Sequence, residues 1–326
     1  MQPGIRPAFF MRRQLNMINP MRLTEKGTRS KALLALTLVS ITWGTTWLVS
    51  KAGVMYMPAL QLAGLRQLTG GLIYIVYFIS KGKAFPRGRQ WIPVIILSIL
   101  NFLLSNGLTT WGVKYISSGL GAIIGAVFPL WMVVIALIRG NSSLNRKSLI
   151  GFVLGFTGIC IIFADHLHDF MNANFRFGIF LSITATLTWA FGTIYTKNQA
   201  DSFNPYFSIG IQMVIAGFML TSVSHATGNV IPITQIPVIS WLSIIYLAVV
   251  GSVISFMAYI YALQHLPTEQ VSIYAYINPL VAVFLGSWIF DEKLNAFIVF
   301  GGLIALCGVY LVNAEFRKNR DQPASQ

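Results

Sequence analysis

Residues 42–51 read TWGTTWLVSK and residues 188–197 read TWAFGTIYTK, so two stretches that begin with Thr-Trp and end with Lys lie 146 residues apart. Further along the chain the separation becomes 150 residues: Pro129-Leu130 recurs as Pro279-Leu280, and Gly151 recurs as Gly301. The chain therefore contains an internal duplication. In a hydrophobic protein, a repeat of this length is typical of membrane transporters.

The composition identifies the surroundings of the chain. Of 326 residues, 55% are hydrophobic and only 10% are charged, which leaves too little polar surface to cover a water-soluble protein. Continuous apolar runs of about 20 residues indicate membrane helices, because strands of a membrane barrel alternate apolar and polar residues. Ten such runs, five in each repeat, occur near residues 32–50, 59–80, 91–112, 117–138, 148–164, 175–196, 205–224, 239–263, 269–290 and 294–314.

The basic residues predict the orientation. With a cytoplasmic N-terminus, most of the 23 Lys and Arg residues fall inside, and only Lys51, Lys114, Arg176 and Lys293 fall outside. The net charge of +14 thus reflects membrane topology rather than nucleic-acid binding. The predicted organisation is a basic cytoplasmic tail (1–31), a first repeat (32–164), a second repeat (175–314) and a cytoplasmic tail (315–326) in the inner or plasma membrane.

An odd number of helices per repeat has a geometric consequence. If the first repeat enters the membrane from the cytoplasm, the second enters from the opposite side, so the two repeats are inverted. The loop after helix 4 is basic, whereas its counterpart after helix 9, Asp291-Glu292-Lys293, carries two acids. The sequence therefore predicts an all-α integral membrane fold of two inverted five-helix repeats, the architecture of alternating access.

The chain resembles the drug/metabolite transporter superfamily, and within it the ten-helix exporters built from two EamA-type domains. The matching features are the two Thr-Trp stretches quoted above, Pro58 with Arg66 in helix 2, the run from Tyr115 through Pro129 to Leu144, and the run from Leu266 through Asn278-Pro279 to FDEKL. The resemblance implies a central cavity surrounded by helices 1, 3, 4, 6, 8 and 9. It also implies that the glycine-rich helices 5 and 10 are peripheral, facing lipid or forming a homodimer.

The acidic turn that such proteins carry after helix 4 is replaced here by Arg139-Gly-Asn-Ser-Ser-Leu-Asn145. An acidic turn therefore occurs only in the second repeat, after helix 9. We interpret Asp291 and Glu292 as solvated turn charges. Cys160 and Cys307 fall within apolar runs and are interpreted as small buried residues.

Polar side chains inside membrane helices point to candidate cavity residues. Asn101, Ser105 and Thr109 are spaced by four and share a face of an α-helix, as do Ser255 and Tyr259 in the matched helix 8. Such a stripe either lines a cavity or bonds helices to one another. Together with aromatic and polar residues of helices 1, 6 and 9, the predicted lining is Trp43, Thr46, Asn101, Ser105, Thr109, Trp189, Ser255, Tyr259, Tyr274 and Asn278.

Two further features of the helices carry expectations. Pro129 and Pro279 occupy matched positions in helices 4 and 9, where each removes a backbone hydrogen bond and favours a kink. Arg66 is an ionised residue well inside helix 2, and its repeat partner is Gln212. Arg66 either ties helix 2 to carbonyl groups of the bundle or anchors a carboxylate or phosphate of the solute.

The sequence gives little support for an enzyme or for a transporter driven by ATP. The helices carry no constellation of His, Cys or acidic residues suited to a metal or a nucleophile, and no phosphate-binding loop, so we expect neither an enzyme nor a cofactor. No carboxylate lies in the middle of a helix, which favours facilitated export or exchange. The resemblance suggests amino acids or related small metabolites as solutes; uptake or antiport of a drug, sugar or phosphorylated metabolite, or a scaffold role, stays open.

Overall fold

The computed structural model describes residues 26–138, 146–198, 204–266, 271 and 274–321. Within these ranges the regular structure is helical and contains no strand. Residues 1–25 and 322–326 of the predicted tails lie outside the described residues, as does the loop at 139–145. The helices are α1 (Lys26–Val54), α2 (Ala59–Ser80), α3 (Gly88–Gly112), α4 (Ser118–Gly125 and Phe128–Ile138), α5 (Arg146–Asp165), α6 (Ala173–Asn198), α7 (Pro205–Ala226), α8 (Val238–His265), α9 (Tyr274–Phe290) and α10 (Ala296–Asp321).

Length and hydropathy separate these helices into two groups. Six of the described helices, α1, α2, α3, α6, α7 and α8, are long and apolar enough to cross a membrane. The apolar parts of the others are shorter: Ser118–Met132, Leu149–Ala164, Tyr274–Phe290 and Ala296–Leu311. Each of the ten predicted runs overlaps one of these helices, and the chain is a multi-pass membrane protein.

Helices α3 and α8 share a departure from α-helical geometry. In α3 the segment Ser98–Asn106 is a π-helix, and in α8 the segment Leu247–Ile254 is a π-helix at the matched place in the second repeat. One side-chain hydrogen bond also spans five residues: Asn106 Nδ2 donates to the carbonyl of Asn101. Because a π-turn closes over five residues rather than four, it shifts which side chains share a face.

The two matched prolines occupy different local structures. Helix α4 is interrupted between Gly125 and Phe128, and Pro129 lies in the first turn of its second part. Proline is tolerated in a first turn because the N–H groups there have no partner within the helix. Pro279 instead lies buried inside α9, which stays helical from Tyr274 to Phe290. Helix α4 is thus interrupted just before Pro129, and a kink at Pro279 stays a prediction.

Two pairs of matched helices cross at glycines. A methyl group built on Gly71 of α2 would lie 2.7 Å from the carbonyl oxygen of Gly210 of α7, and one built on Gly217 would lie 3.0 Å from that of Gly64. Because Gly64 meets Gly217 while Gly71 meets Gly210, the pair is antiparallel. The repeat partner of Gly64 is Gly210 and that of Gly71 is Gly217, so each helix offers the same patch.

Helices α5 and α10 pack in the same manner. A methyl group on Gly301 would lie 2.7 Å from the carbonyl oxygen of Gly158, and one on Gly308 would lie 2.5 Å from that of Gly151. The glycines therefore serve contact within one chain. Large apolar side chains such as Phe156 and Phe300 are exposed elsewhere on these two helices. A homodimer through α5 and α10 stays a prediction.

Cys160 and Cys307 are exposed on α5 and α10. Their interpretation as buried residues was wrong. A membrane helix is apolar on its lipid face as well as in its packed interior, so apolar neighbours in the sequence do not show whether a residue is buried or faces lipid.

Candidate functional site

A cavity of about 160 Å³ lies between seven helices near the centre of the bundle. Its lining comes from α1, α3, α4, α6, α8 and α9, which are the six helices that the resemblance implied, and in addition from α2. Among the described residues, none from α5, α7 or α10 lines it. The lining residues are Trp43, Thr46, Trp47, Ser50, Arg66, Ser105, Asn106, Thr109, Ala122, Gly125, Ala126, Phe128, Thr186, Trp189, Phe256, Tyr274, Ala275 and Asn278.

Most of the residues predicted as lining meet at this cavity, and three do not. Those that line it are Trp43, Thr46, Ser105, Thr109, Trp189, Tyr274 and Asn278, together with the intramembrane Arg66. The residues outside the lining are Asn101, Ser255 and Tyr259. Each of the three has a physical reason for its position.

Asn101 was predicted on the assumption that α3 is an α-helix throughout. Asn101 lies in the π-helical segment, to which α-helical spacing does not apply, and the structure places Asn106 in the lining instead. The Asn101 side chain packs against Gly192 of α6, where a glycine leaves space for it, and its Oδ1 has no hydrogen-bond partner among the described residues. The spacing of four was therefore the wrong periodicity for this turn.

Ser255 and Tyr259 lie one layer behind the cavity wall. The Ser255 hydroxyl is 2.7 Å from the Thr42 hydroxyl and donates to the carbonyl of Val250 at 2.6 Å, so it bonds α8 to α1. For Ser255, the alternative of a hydrogen bond between helices is the one observed. The Tyr259 ring packs on Trp43 at a centroid distance of 5.1 Å and on Tyr274 at 5.6 Å.

Three lining residues form an aromatic wall: Trp43 at the centre, with Tyr274 and Phe256 packed against it. The indole N–H of Trp43 donates to the carbonyl of Gly251 at 3.1 Å, which holds the ring in place. The ring meets Tyr274 edge to face at 5.0 Å and Phe256 at 5.3 Å. Edge-to-face packing of this kind stabilises ring positions by roughly 1 kcal/mol per pair. The wall is therefore preorganised rather than assembled around a solute.

Ten lining residues were absent from the predicted set, and four of them have side chains that can form hydrogen bonds: Trp47, Ser50, Asn106 and Thr186. Trp47 and Ser50 follow Trp43 at the helical spacings of four and seven, so the periodicity of α1 contained the signal. Thr186 precedes Trp189 by three residues in α6 and accepts a hydrogen bond from the Trp131 indole at 3.3 Å. Asn106 lies in the π-helical segment, to which the α-helical spacing used for the prediction does not apply.

Arg66 brings a positive charge to the cavity. Its side chain is buried, with 6% of its surface exposed, and its Nε donates to the Ser252 hydroxyl at 3.3 Å. Gly251 lies beside the guanidinium, where a methyl group would be 3.5 Å from Nη2. The lining otherwise combines aromatic rings with neutral hydroxyl and amide groups. It can therefore hold a small solute that has an apolar body and polar or anionic groups.

The model of the EamA-like transporter family matches the chain twice, at residues 30–164 and 176–314. The chain belongs to the EamA-like transporter family. The two matches cover the two repeats identified in the sequence, and the resemblance to the drug/metabolite transporter superfamily is confirmed.

Curated relatives agree with this membership. The chain is 28% identical over 290 residues to the uncharacterized inner membrane transporter YedA of Escherichia coli strain K12, covering 86% of this chain and 92% of that protein. It is 25% identical over 293 residues to the uncharacterized transporter YvbV of Bacillus subtilis, covering 90% and 94%. A crystal structure that is 15% identical superposes with a TM-score of 0.61 over 89% of this chain and 99% of that one, which shows a shared fold. This protein is thus a membrane transporter.

In this EamA-like transporter, Glu292 and Lys51 form hydrogen bonds to the turn between α3 and α4, and the contact made by Glu292 is called the clamp below. Glu292, after α9, accepts hydrogen bonds from the Ser118 N–H at 2.7 Å, the Ser118 hydroxyl at 2.9 Å and the Gly119 N–H at 3.1 Å. Lys51, near the end of α1, donates to the carbonyl of Ile116 at 2.7 Å. The interpretation of Glu292 as a solvated turn charge was wrong, because its carboxylate caps the first turn of α4; Asp291 is exposed as expected.

Among the residues that the structure describes, no group of three or more His, Cys, Asp or Glu side chains is arranged to hold a metal ion. The described lining of the cavity likewise contains no carboxylate. The lining of this EamA-like transporter offers aromatic contact, neutral hydrogen bonding and the charge of Arg66.

Proposed function

We propose that this EamA-like transporter moves a small solute through the central cavity by alternating access between two inverted repeats. The observation that carries the proposal is that both repeats build one cavity: Trp43 of the first repeat and its partner Trp189 of the second both line it. A site between two equivalent halves opens to each side of the membrane when the halves exchange conformations.

The packing of matched helices supports the inverted arrangement. In both the α2–α7 and α5–α10 pairs, equivalent glycines meet in antiparallel order. A two-fold axis in the membrane plane relates helices in this way, because it reverses the direction of one copy. The proposed topology has ten spans, with both termini in the cytoplasm as the basic residues indicate. The interruption of α4 before Pro129 offers a place where one half can bend against the other.

The lining supports amino acids or related small metabolites as the solutes and facilitated export or exchange as the mode. A cavity of about 160 Å³ is smaller than the roughly 300–1,000 Å³ of sites for drug-sized ligands. Its aromatic wall suits an apolar side chain, while Ser105, Thr109 and Asn278 suit polar groups. The described lining holds no acidic proton carrier, so we propose transport down the gradient of the solute.

Transport by purified protein in liposomes tests the proposal. We expect uptake of radiolabelled amino acids into proteoliposomes to fall at least about tenfold in Trp43→Ala, because the variant loses the ring that organises the aromatic wall. Trp288→Ala is the matched control: Trp288 lies in α9 but is 74% exposed, so the same truncation should leave uptake unchanged.

Two outcomes would count against the proposal. Uptake by Trp43→Ala equal to that of the wild type would remove the cavity as the transport path. A strong dependence of wild-type uptake on an imposed pH gradient would refute the facilitated mode while leaving the path in place. The same assay with sugars and phosphorylated metabolites identifies the solute class.

A further inference from the structure

Arg66 is a buried cation whose charge has no acidic partner in the described part of the chain. Its guanidinium group has five N–H donors, and its hydrogen bond is to a neutral acceptor, the Ser252 hydroxyl. The salt bridge found among the described residues joins His166 to Asp169 on another part of the molecule. The charge of Arg66 therefore lies in the cavity with most of its donors available.

Such a charge is costly to bury without compensation. Removing an ionised group from water without pairing it carries a large penalty, which a counter-ion with good hydrogen-bond geometry reduces. A planar guanidinium pairs with a carboxylate through two parallel N–H···O bonds. An anion that enters the cavity would supply the missing partner. The attraction between the anion and Arg66 would be strongest where water is excluded.

The charge balance of the cavity selects the kind of anion. Arg66 is the cationic side chain among the described lining residues, and the other polar members are neutral. One positive charge compensates one negative charge, so a carboxylate fits better than a phosphate that carries nearly two. Arg66 itself lines the cavity, so a solute in the cavity reaches the guanidinium group. A carboxylate therefore matches the cavity in charge and can contact Arg66 there.

We propose that Arg66 binds the carboxylate of the transported solute, so that this protein takes small organic carboxylates, zwitterions included. The inference rests on the proposed function, because it assumes that the solute occupies the central cavity. It assigns to Arg66 the role of recognising the solute, with the aromatic wall of Trp43, Tyr274 and Phe256 contacting the apolar part.

Binding to purified wild-type protein tests the proposal without any substitution. Isothermal titration calorimetry would compare acetate with acetamide and phenylacetate with phenylacetamide, pairs of nearly equal shape that differ in charge. We expect the carboxylate of at least one pair to bind at least about tenfold more tightly than its amide, since a charge-assisted bidentate pair is lost in the amide. Phosphate and chloride are titrated to distinguish a carboxylate site from a general anion site.

Three variants locate the effect. Arg66→Gln should abolish the preference for the carboxylate, whereas Arg66→Lys should keep the preference but weaken binding, because an ammonium group retains the charge without the planar fork. Arg176→Gln makes the same chemical change at an exposed residue of α6 and should bind as the wild type does. Arg66→Lys also covers the case in which Arg66→Gln fails to fold.

The outcomes separate this inference from the proposed function. If the wild type prefers no carboxylate over its amide, or binds phosphate or chloride as tightly, the inference is overturned. If Arg66→Gln transports carboxylates as the wild type does while Trp43→Ala does not, Arg66 is excluded but the transport path stands. If the preference depends on Arg66 but no solute crosses the liposome membrane, the inference stands and the proposed function fails.

Discussion

Replacing Gly301 with alanine is expected to lower the free energy of unfolding by about 2–3 kcal/mol, the upper range for added volume in a packed interior. The new methyl group would lie 2.7 Å from the carbonyl oxygen of Gly158 and 2.7 Å from Cγ1 of Ile162. The carbonyl belongs to the backbone of α5, so relief requires α5 and α10 to separate. Separation would cost the close van der Waals contact that holds membrane helices together.

The neighbouring glycine provides a matched control. A methyl group on Gly302 would meet only Cδ1 of Ile123, at 3.9 Å, which is ordinary contact. Gly302→Ala should therefore unfold as the wild type does, even though it makes the same chemical change one residue away. Thermal and denaturant unfolding of both variants in detergent micelles would measure the difference. Equal stability of the two would show that α5 and α10 do not pack through Gly301.

Replacing Glu292 with glutamine is expected to release the turn between α3 and α4. The carboxylate accepts three hydrogen bonds with its two oxygens, and two of the donors are the N–H groups of Ser118 and Gly119. Glutamine keeps one oxygen, loses the charge and places an N–H₂ group against a donor. Since hydrogen bonds to charged groups contribute about 1.5–3 kcal/mol, we expect a loss of about 1–3 kcal/mol, reduced by partial exposure to water.

Hydrogen exchange gives a local measurement of this effect. Peptides that contain Ser118 and Gly119 should exchange faster in Glu292→Gln, while peptides from α2 and α7 keep their protection. Asp291→Asn is the control, because Asp291 is exposed and adopts a positive φ of 52°, which asparagine also tolerates. Unchanged exchange near Ser118 in Glu292→Gln would refute the clamp.

The clamp also bears on the transport cycle proposed above. Glu292 follows α9 of the second repeat, whereas Ser118 begins α4 of the first, so the contact joins the two halves. If the halves move against each other, this contact must break or shift in one state. Glu292→Gln should then change the transport rate as well as stability.

The amino-acid sequence by itself determined the class of this protein and where its helices lie along the chain. The recurrence of Trp43 as Trp189 identified two repeats, and apolar runs placed helices that the structure contains, because bilayer thickness and backbone hydrogen bonding restrict a membrane chain to few forms. The spacing of four within α1 also places Trp47 on the same helix face as Trp43. These signals are local, and they persist in a single sequence.

The tertiary structure alone decided which side chains meet. Asn106 and not Asn101 lines the cavity, and both lie in a π-helical segment that the spacing of residues in the sequence does not predict. Glu292 caps α4 although 173 residues separate it from Gly119. Apolar composition likewise could not separate the packed Gly301 from the exposed Cys307 on one helix. Contacts between distant segments depend on how helices cross, and crossing is set by packing in three dimensions rather than by the pattern along each helix.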